Sequence, residues 1–150
     1  MLDLEPLLAP PFLYIVTGIL GLVIGSFLNV VIHRLPIMME RDWRSQCSEL
    51  LGPTESEEPT GYPPYNLITP SSCCPHCAHR IRWWENIPVL SYMVMTGRCS
   101  ECKQRISLRY PIVELVTAVL TVMVAWKTGP TLQAATLLPL TWALIALTLI

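Results

Sequence analysis

Apolar residues crowd the two ends of the chain, and charge fills the stretch between them. Residues 11–32 carry no charged side chain, and a run of that length matches the roughly 20 residues a tilted helix needs to cross a hydrocarbon core. It predicts one membrane helix. Residues 111–127 form a second apolar run, entered by Arg109-Tyr110-Pro111 and left by Lys127-Thr128-Gly129-Pro130, and residues 132–150 form a third. Between the first two runs the pattern is lost. Arg41-Asp42-Trp43-Arg44 predicts a short amphipathic piece at the membrane surface, and the proline- and acid-rich residues 52–64 predict a loop.

The predicted fold is an all-α polytopic membrane protein with a small cytoplasmic zinc-ribbon-like insertion containing short strands. Residues 1–34 would hold a short external amino terminus and the first transmembrane helix, and 35–110 a cytoplasmic zinc-binding domain. The second helix would occupy 111–127, and a short external loop with a third, truncated helix 128–150.

Composition agrees with this layout. Of 150 residues, 52% are hydrophobic and 14% charged, which argues against an ordinary soluble domain, and a net charge of -1 gives no case for nucleic acid. A cleaved signal peptide fits poorly, because Asp3 and Glu5 rather than basic residues precede the first run. Every Lys and Arg except Lys127 lies between the first and second runs. By the positive-inside rule that segment is cytoplasmic and the amino terminus external.

The candidate chemistry sits in the polar segment. Cys74-Pro-His-Cys77 and Cys99-Ser-Glu-Cys102 are two Cys-x-x-Cys pairs separated by 21 residues. Each is followed by x-x-Arg-Ile: Arg80-Ile81 after the first and Arg105-Ile106 after the second. Such pairs close tight knuckles that offer two sulfurs each to one tetrahedral ion, so Cys74, Cys77, Cys99 and Cys102 are the candidate ligands of a structural zinc. Paired disulfides and spare thiols are the competing readings, disfavoured in a reducing compartment, and the spacing does not separate zinc from iron. Cys47 and Cys73 have no partner at ligand spacing, although Cys73 beside Cys74 leaves the first register open. His76 and His79 fall outside a set that four sulfurs already complete.

Other residues invite two readings each. Gly21 and Gly25 make a GxxxG step that admits a second helix closely. Asn29 is either an interhelical hydrogen bond or functional. Glu114, about one turn into the second helix, is either paired with Arg109 or snorkelling to the surface, or else functional. Trp83, Trp84 and Tyr92 form a small core, an aromatic belt at headgroup level, or a substrate platform.

Four motifs in series resemble one family. They are Gly25-Ser26-Phe27-Leu28-Asn29-Val30-Val31-Ile32-His33-Arg34-Leu35-Pro36, the two cysteine pairs, Trp84-x-Asn86-Ile87-Pro88-Val89-Leu90-Ser91, and Arg105-Ile106-Ser107-x-Arg109-Tyr110-Pro111-x-x-Glu114. Together they are similar to the amino-terminal half of the type IV prepilin peptidases. The resemblance implies a bifunctional enzyme of the bacterial inner membrane. It would remove the leader from type IV prepilins and type II secretion pseudopilins, then methylate the new amino terminus from S-adenosylmethionine.

The implied peptidase uses two aspartates, of which a like-charged pair keeps one protonated. Only Asp3 and Asp42 are present here, and neither falls in a family motif, so the sequence reads as a fragment without peptidase activity. Asn29, Arg34, Arg109 and Glu114 are the candidates to support methyl transfer. The S-adenosylmethionine site is not placed, since no glycine-rich cofactor loop follows a strand. Implied partners are prepilin and pseudopilin leader peptides and the lipid bilayer, with no nucleic acid. The alternative is a membrane-anchored zinc-ribbon scaffold without chemistry. A disulfide-linked periplasmic domain would require reversed topology.

Overall fold

The computed structural model describes residues 10–51 and 65–150. The expectations for the amino terminus with Asp3 and for the loop over 52–64 lie outside the described residues. The architecture is mainly helical: α1 (Pro10–Leu51), a 3₁₀ turn (Trp83–Asn86), α2 (Leu90–Val94), α3 (Arg109–Thr128) and α4 (Leu132–Leu149). Three of these, α1, α3 and α4, are long and apolar enough to cross a membrane.

The apolar run ends at Ile32, but helix α1 continues to Leu51 through Pro36. Arg41-Asp42-Trp43-Arg44, expected as a separate amphipathic piece, therefore belongs to the later turns of α1. Proline removes one donor from the ladder, while Met38-Met39-Glu40-Arg41 are good helix formers, and Glu40 accepts from Arg44 at 2.6 Å one turn later. Hydropathy marked the membrane-compatible part, whereas helix propensity carried the element onward. At the other end, α3 stops at Gly129, whose φ of 61° suits glycine. Thr131 then caps α4, its side chain accepting from the Ala134 amide.

The packing is inside-out. Ile15, Ile19, Val23 and Phe27 form a stripe at helical spacing on α1, and all are exposed; Ile112, Val116, Val119, Met123 and Trp126 do the same on α3. Thr17, Asn29, Glu114, Thr117 and Thr121 are buried instead. An aqueous domain would reverse this, whereas a lipid solvent favours it.

Helix α1 packs chiefly against α3 because Gly21 and Gly25 present bare backbone. A Cβ at Gly21 would lie 2.6 Å from Ala118 Cα, and one at Gly25 2.7 Å from Glu114 Cα. Thr117 and Thr121 return their hydroxyls to the carbonyls one turn back at 2.7 Å, and Trp142 Nε1 on α4 donates to Thr121 Oγ1 at 3.0 Å. Leu28, Ile32, Val113, Ile145 and Ala146 complete the shared core.

The short strands expected in the insertion are not formed among the described residues. Each reduces to a single antiparallel bridge, Cys73 with Arg80 and Arg98 with Arg105. The chain turns away at once, into the 3₁₀ turn after the first bridge and into α3 after the second.

Candidate metal centre and its seat on the helices

The two knuckles repeat each other bond for bond. In the first, the Cys74 amide donates to His79 O at 2.9 Å, the Ala78 amide to Cys74 O at 2.9 Å, and the Ile81 amide to Ser72 O at 2.9 Å. In the second, the Cys99 amide donates to Gln104 O at 2.9 Å, Lys103 to Cys99 O at 3.2 Å and Ile106 to Gly97 O at 2.8 Å. Ala78 and Lys103 hold the same place after the last cysteine of each pair and share a left-handed backbone, φ 57° and 59°. That reversal aims both sulfurs of a pair to one side.

The four sulfurs of Cys74, Cys77, Cys99 and Cys102 all lie within 4.8 Å of one another. Cys74 Sγ is 3.8 Å from Cys102 Sγ, and Cys77 Sγ is 3.9 Å from Cys99 Sγ. Tetrahedral zinc with bonds of ~2.3 Å sets its sulfurs about 3.8 Å apart, so the donor set fits such an ion. No cysteine is in a disulfide among the described residues.

The proton chemistry points the same way. Amides of Cys77 and His76, with help from the neighbouring thiols, lower Cys74 to about 6. The His79 amide pulls Cys77 down as well, but desolvation and the surrounding Cys102, Cys74 and Cys99 outweigh it and push that thiol up to about 12. Four clustered thiols cannot all ionise without a cation among them, and a divalent ion supplies the missing charge.

Neither histidine joins the sulfurs. His79 Nε2 lies 3.3 Å from both Glu85 Oε2 and Ser100 Oγ, so it braces the first knuckle against the second. Glu85 also accepts from the Arg82 amide at 2.9 Å, closing the 3₁₀ turn. The Arg82 amide, then Ser100 and His79, hold its carboxyl below the ordinary range. The sequence announces neither this cap, since Arg82 is not among the residues favoured at a helix N-cap, nor the pairing of Glu85 with His79.

Backbone ties fix the knuckles to the helices. Gly97, at φ 64°, packs so tightly on Tyr92 that a Cβ would meet the phenol oxygen at 2.5 Å, and the Tyr92 hydroxyl donates to Ile106 O at 3.3 Å. Pro88-Val89-Leu90 forms a γ-turn: the Leu90 amide donates to Pro88 O at 2.5 Å, and Val89 stands at φ 58°, ψ −46°. This conformation is strained for a β-branched residue. The buried Glu114 carboxylate accepts the Val89 amide at 2.7 Å and holds the turn against α3.

The other candidates also make backbone ties. Asn29 Nδ2 donates to Tyr110 O at 3.1 Å across the α1–α3 seam. Buried Arg34 donates to Asn66 O at 2.9 Å and Pro70 O at 2.6 Å, with its guanidinium 5.7 Å from the Tyr65 ring. Arg109 donates to Leu149 O at 2.7 Å, in the last turn of α4, and makes no ion pair with Glu114. Asn29 and Glu114 share one seam, and the four side chains bond to separate stretches of backbone.

A sequence model described as the bacterial peptidase A24 N-terminal domain matches residues 19–128. The chain is 52% identical over 141 residues to a Pseudomonas putida protein named prepilin leader peptidase/N-methyltransferase, covering 94% of this chain and 48% of that one. It is 51% identical over 149 residues to a Pseudomonas aeruginosa protein of the same name, covering 98% and 50% respectively. A Neisseria gonorrhoeae protein of that name is 46% identical over 142 residues, with 93% and 48% covered. The chain thus spans about half the length of the curated relatives it matches. No solved structure matches it.

Proposed function

The chain belongs to the bacterial peptidase A24 N-terminal domain family, and from that premise we propose that it is the amino-terminal part of a prepilin leader peptidase and N-methyltransferase. The observation that carries the reading is the extent of the match: about half the residues are identical to proteins of that name over nearly the whole chain, and the family model spans residues 19–128, the range that holds both cysteine pairs. In this reading α1, α3 and α4 cross the bacterial inner membrane, the amino terminus is periplasmic and the cysteine module cytoplasmic. The inside-out packing and the concentration of Lys and Arg between α1 and α3 support that placement.

Cys74, Cys77, Cys99 and Cys102 hold one zinc, which supplies cross-linking and no reaction step, because four protein ligands leave no open position. Asn29, Arg34, Arg109 and Glu114 act as positioning residues. Glu114 at Val89 and Arg34 at Asn66 and Pro70 fix the polar segment on the helices, while Asn29 at Tyr110 and Arg109 at Leu149 tie α1 to α3 and α3 to α4. Methyl transfer needs a neutral amine aligned with the donor's methyl group in a water-poor place, which is a positioning task. Leader cleavage falls to aspartates supplied by the remainder of the enzyme.

The test is a chimera of this chain with the carboxyl-terminal remainder of the Pseudomonas putida relative, assayed on a prepilin by mass spectrometry. The chimera should remove the leader and add a methyl group, and the chain alone should do neither. Glu114→Gln in the chimera should lower methylation more than cleavage. Leader cleavage by the isolated chain, or a folded chimera that leaves the prepilin intact, would sink the proposal.

A further inference from the structure

We propose that the 3₁₀ turn Trp83–Asn86 and helix α2 together form a membrane-surface anchor, bedded in the headgroup layer of the bilayer that α3 enters. This rests on the reading that α1, α3 and α4 span a bilayer.

Helix α2 is only five residues long, yet Leu90, Met93 and Val94 are 61%, 68% and 83% exposed, and Trp83 just before it is 77% exposed. Leu90 and Val94 line one shallow groove of about 220 Å³ with Trp84, Ile87 and Met95, beside Glu85, Ser91 and Ser100, so part of this exposure belongs to a single, largely apolar surface, with Trp83 and Met93 outside the groove. Scattered apolar residues need no explanation, but a continuous patch does.

Its depth is fixed independently. The Val89 amide, immediately before α2, is bonded to Glu114 at 2.7 Å. Glu114 lies five residues beyond the start of α3 at Arg109, roughly 7.5 Å along the axis at 1.5 Å per residue. The apolar surface therefore stands level with the first turns of the span.

Charge completes the match. The Arg82 guanidinium lies 5.4 Å from the Trp84 ring, and residues 71–110 carry six Lys and Arg against two Glu. Tryptophan and arginine side by side, with apolar bodies and polar tips, suit an interface of acyl chains and anionic headgroups.

The experiment places the photo-crosslinker p-benzoylphenylalanine singly at Val94, Met93, Val119 and Lys103 of the full chain in bacterial membranes. Adducts are identified by mass spectrometry. Lipid adducts are expected at Val94 and Met93, on the anchor, and at Val119, on the outward face of α3; Lys103, on the second knuckle, should give several-fold fewer. Using two anchor positions guards against one substitution spoiling the fold. Lipid adducts at Val119 with only protein adducts, or none, at Val94 and Met93 would overturn the anchor alone. Their absence at Val119 as well would overturn the membrane reading with it.

Discussion

Glu85 gathers the Arg82 amide, Ser100 and His79 around one carboxylate, and its depressed pKa makes that cluster sensitive to acid. A carboxyl whose folded pKa lies below its ordinary value near 4.5 contributes stability that is complete above the ordinary value. That contribution is lost as pH falls through the lowered one. Thermal midpoints of the native chain should therefore exceed those of Glu85→Gln at neutral pH, with the gap closing in more acid solution. A gap that persists unchanged into strong acid would contradict the assignment. At this scale the sequence is most legible where the signal is local: the spacing of Cys74, Cys77, Cys99 and Cys102 foretold their convergence. Glu114 stood out as a carboxylate in an apolar run, but its partner did not, because the Val89 amide lies 25 residues earlier and a backbone donor has no letter of its own. Arg109, the partner that charge suggested, reaches the Leu149 carbonyl instead.

Between elements, the decisive contact is the glycine seam of α1. A Cβ at Gly21 would press on the Ala118 backbone at 2.6 Å, where nothing can rotate away, whereas one at Gly18 would meet only the Val122 side chain at 3.5 Å. Gly21→Ala should therefore cost about 1–3 kcal/mol of helix-pair stability, measured by denaturant unfolding in detergent, while Gly18→Ala leaves it nearly unchanged. Equal effects at the two sites would refute the seam. GxxxG announced that a helix would come close, but not that the partner would be α3 with Thr117 and Thr121 facing it. The length of α1 was hidden for a different reason. Apolar pattern stops at Ile32, while the polar residues after Pro36 keep the helix going by propensity and by pairs such as Glu40 with Arg44.

Across the whole molecule, two kinds of order meet at Val89 and Glu114: a helix group held by backbone closeness and a module gathered around four sulfurs. Removing the proposed zinc should affect them unequally. With metal bound, a thiol reagent should titrate Cys47 and Cys73 alone, since the other four of the six free cysteines form the cluster. After a strong chelator all six should react, while the far-ultraviolet helix signal remains. Six reactive thiols before chelation would show that no ion closes the site.

Helix α1 carries one more consequence. Residues 35–51 prolong it without a break, about 25 Å of rod at 1.5 Å per residue. With its apolar half in the bilayer, the remainder is a stiff post, gripped near its foot where Arg34 clasps the turn at Asn66 and Pro70. Because Arg34 sits on that rod, the turn at Asn66 and Pro70 has to follow any tilt of the helix.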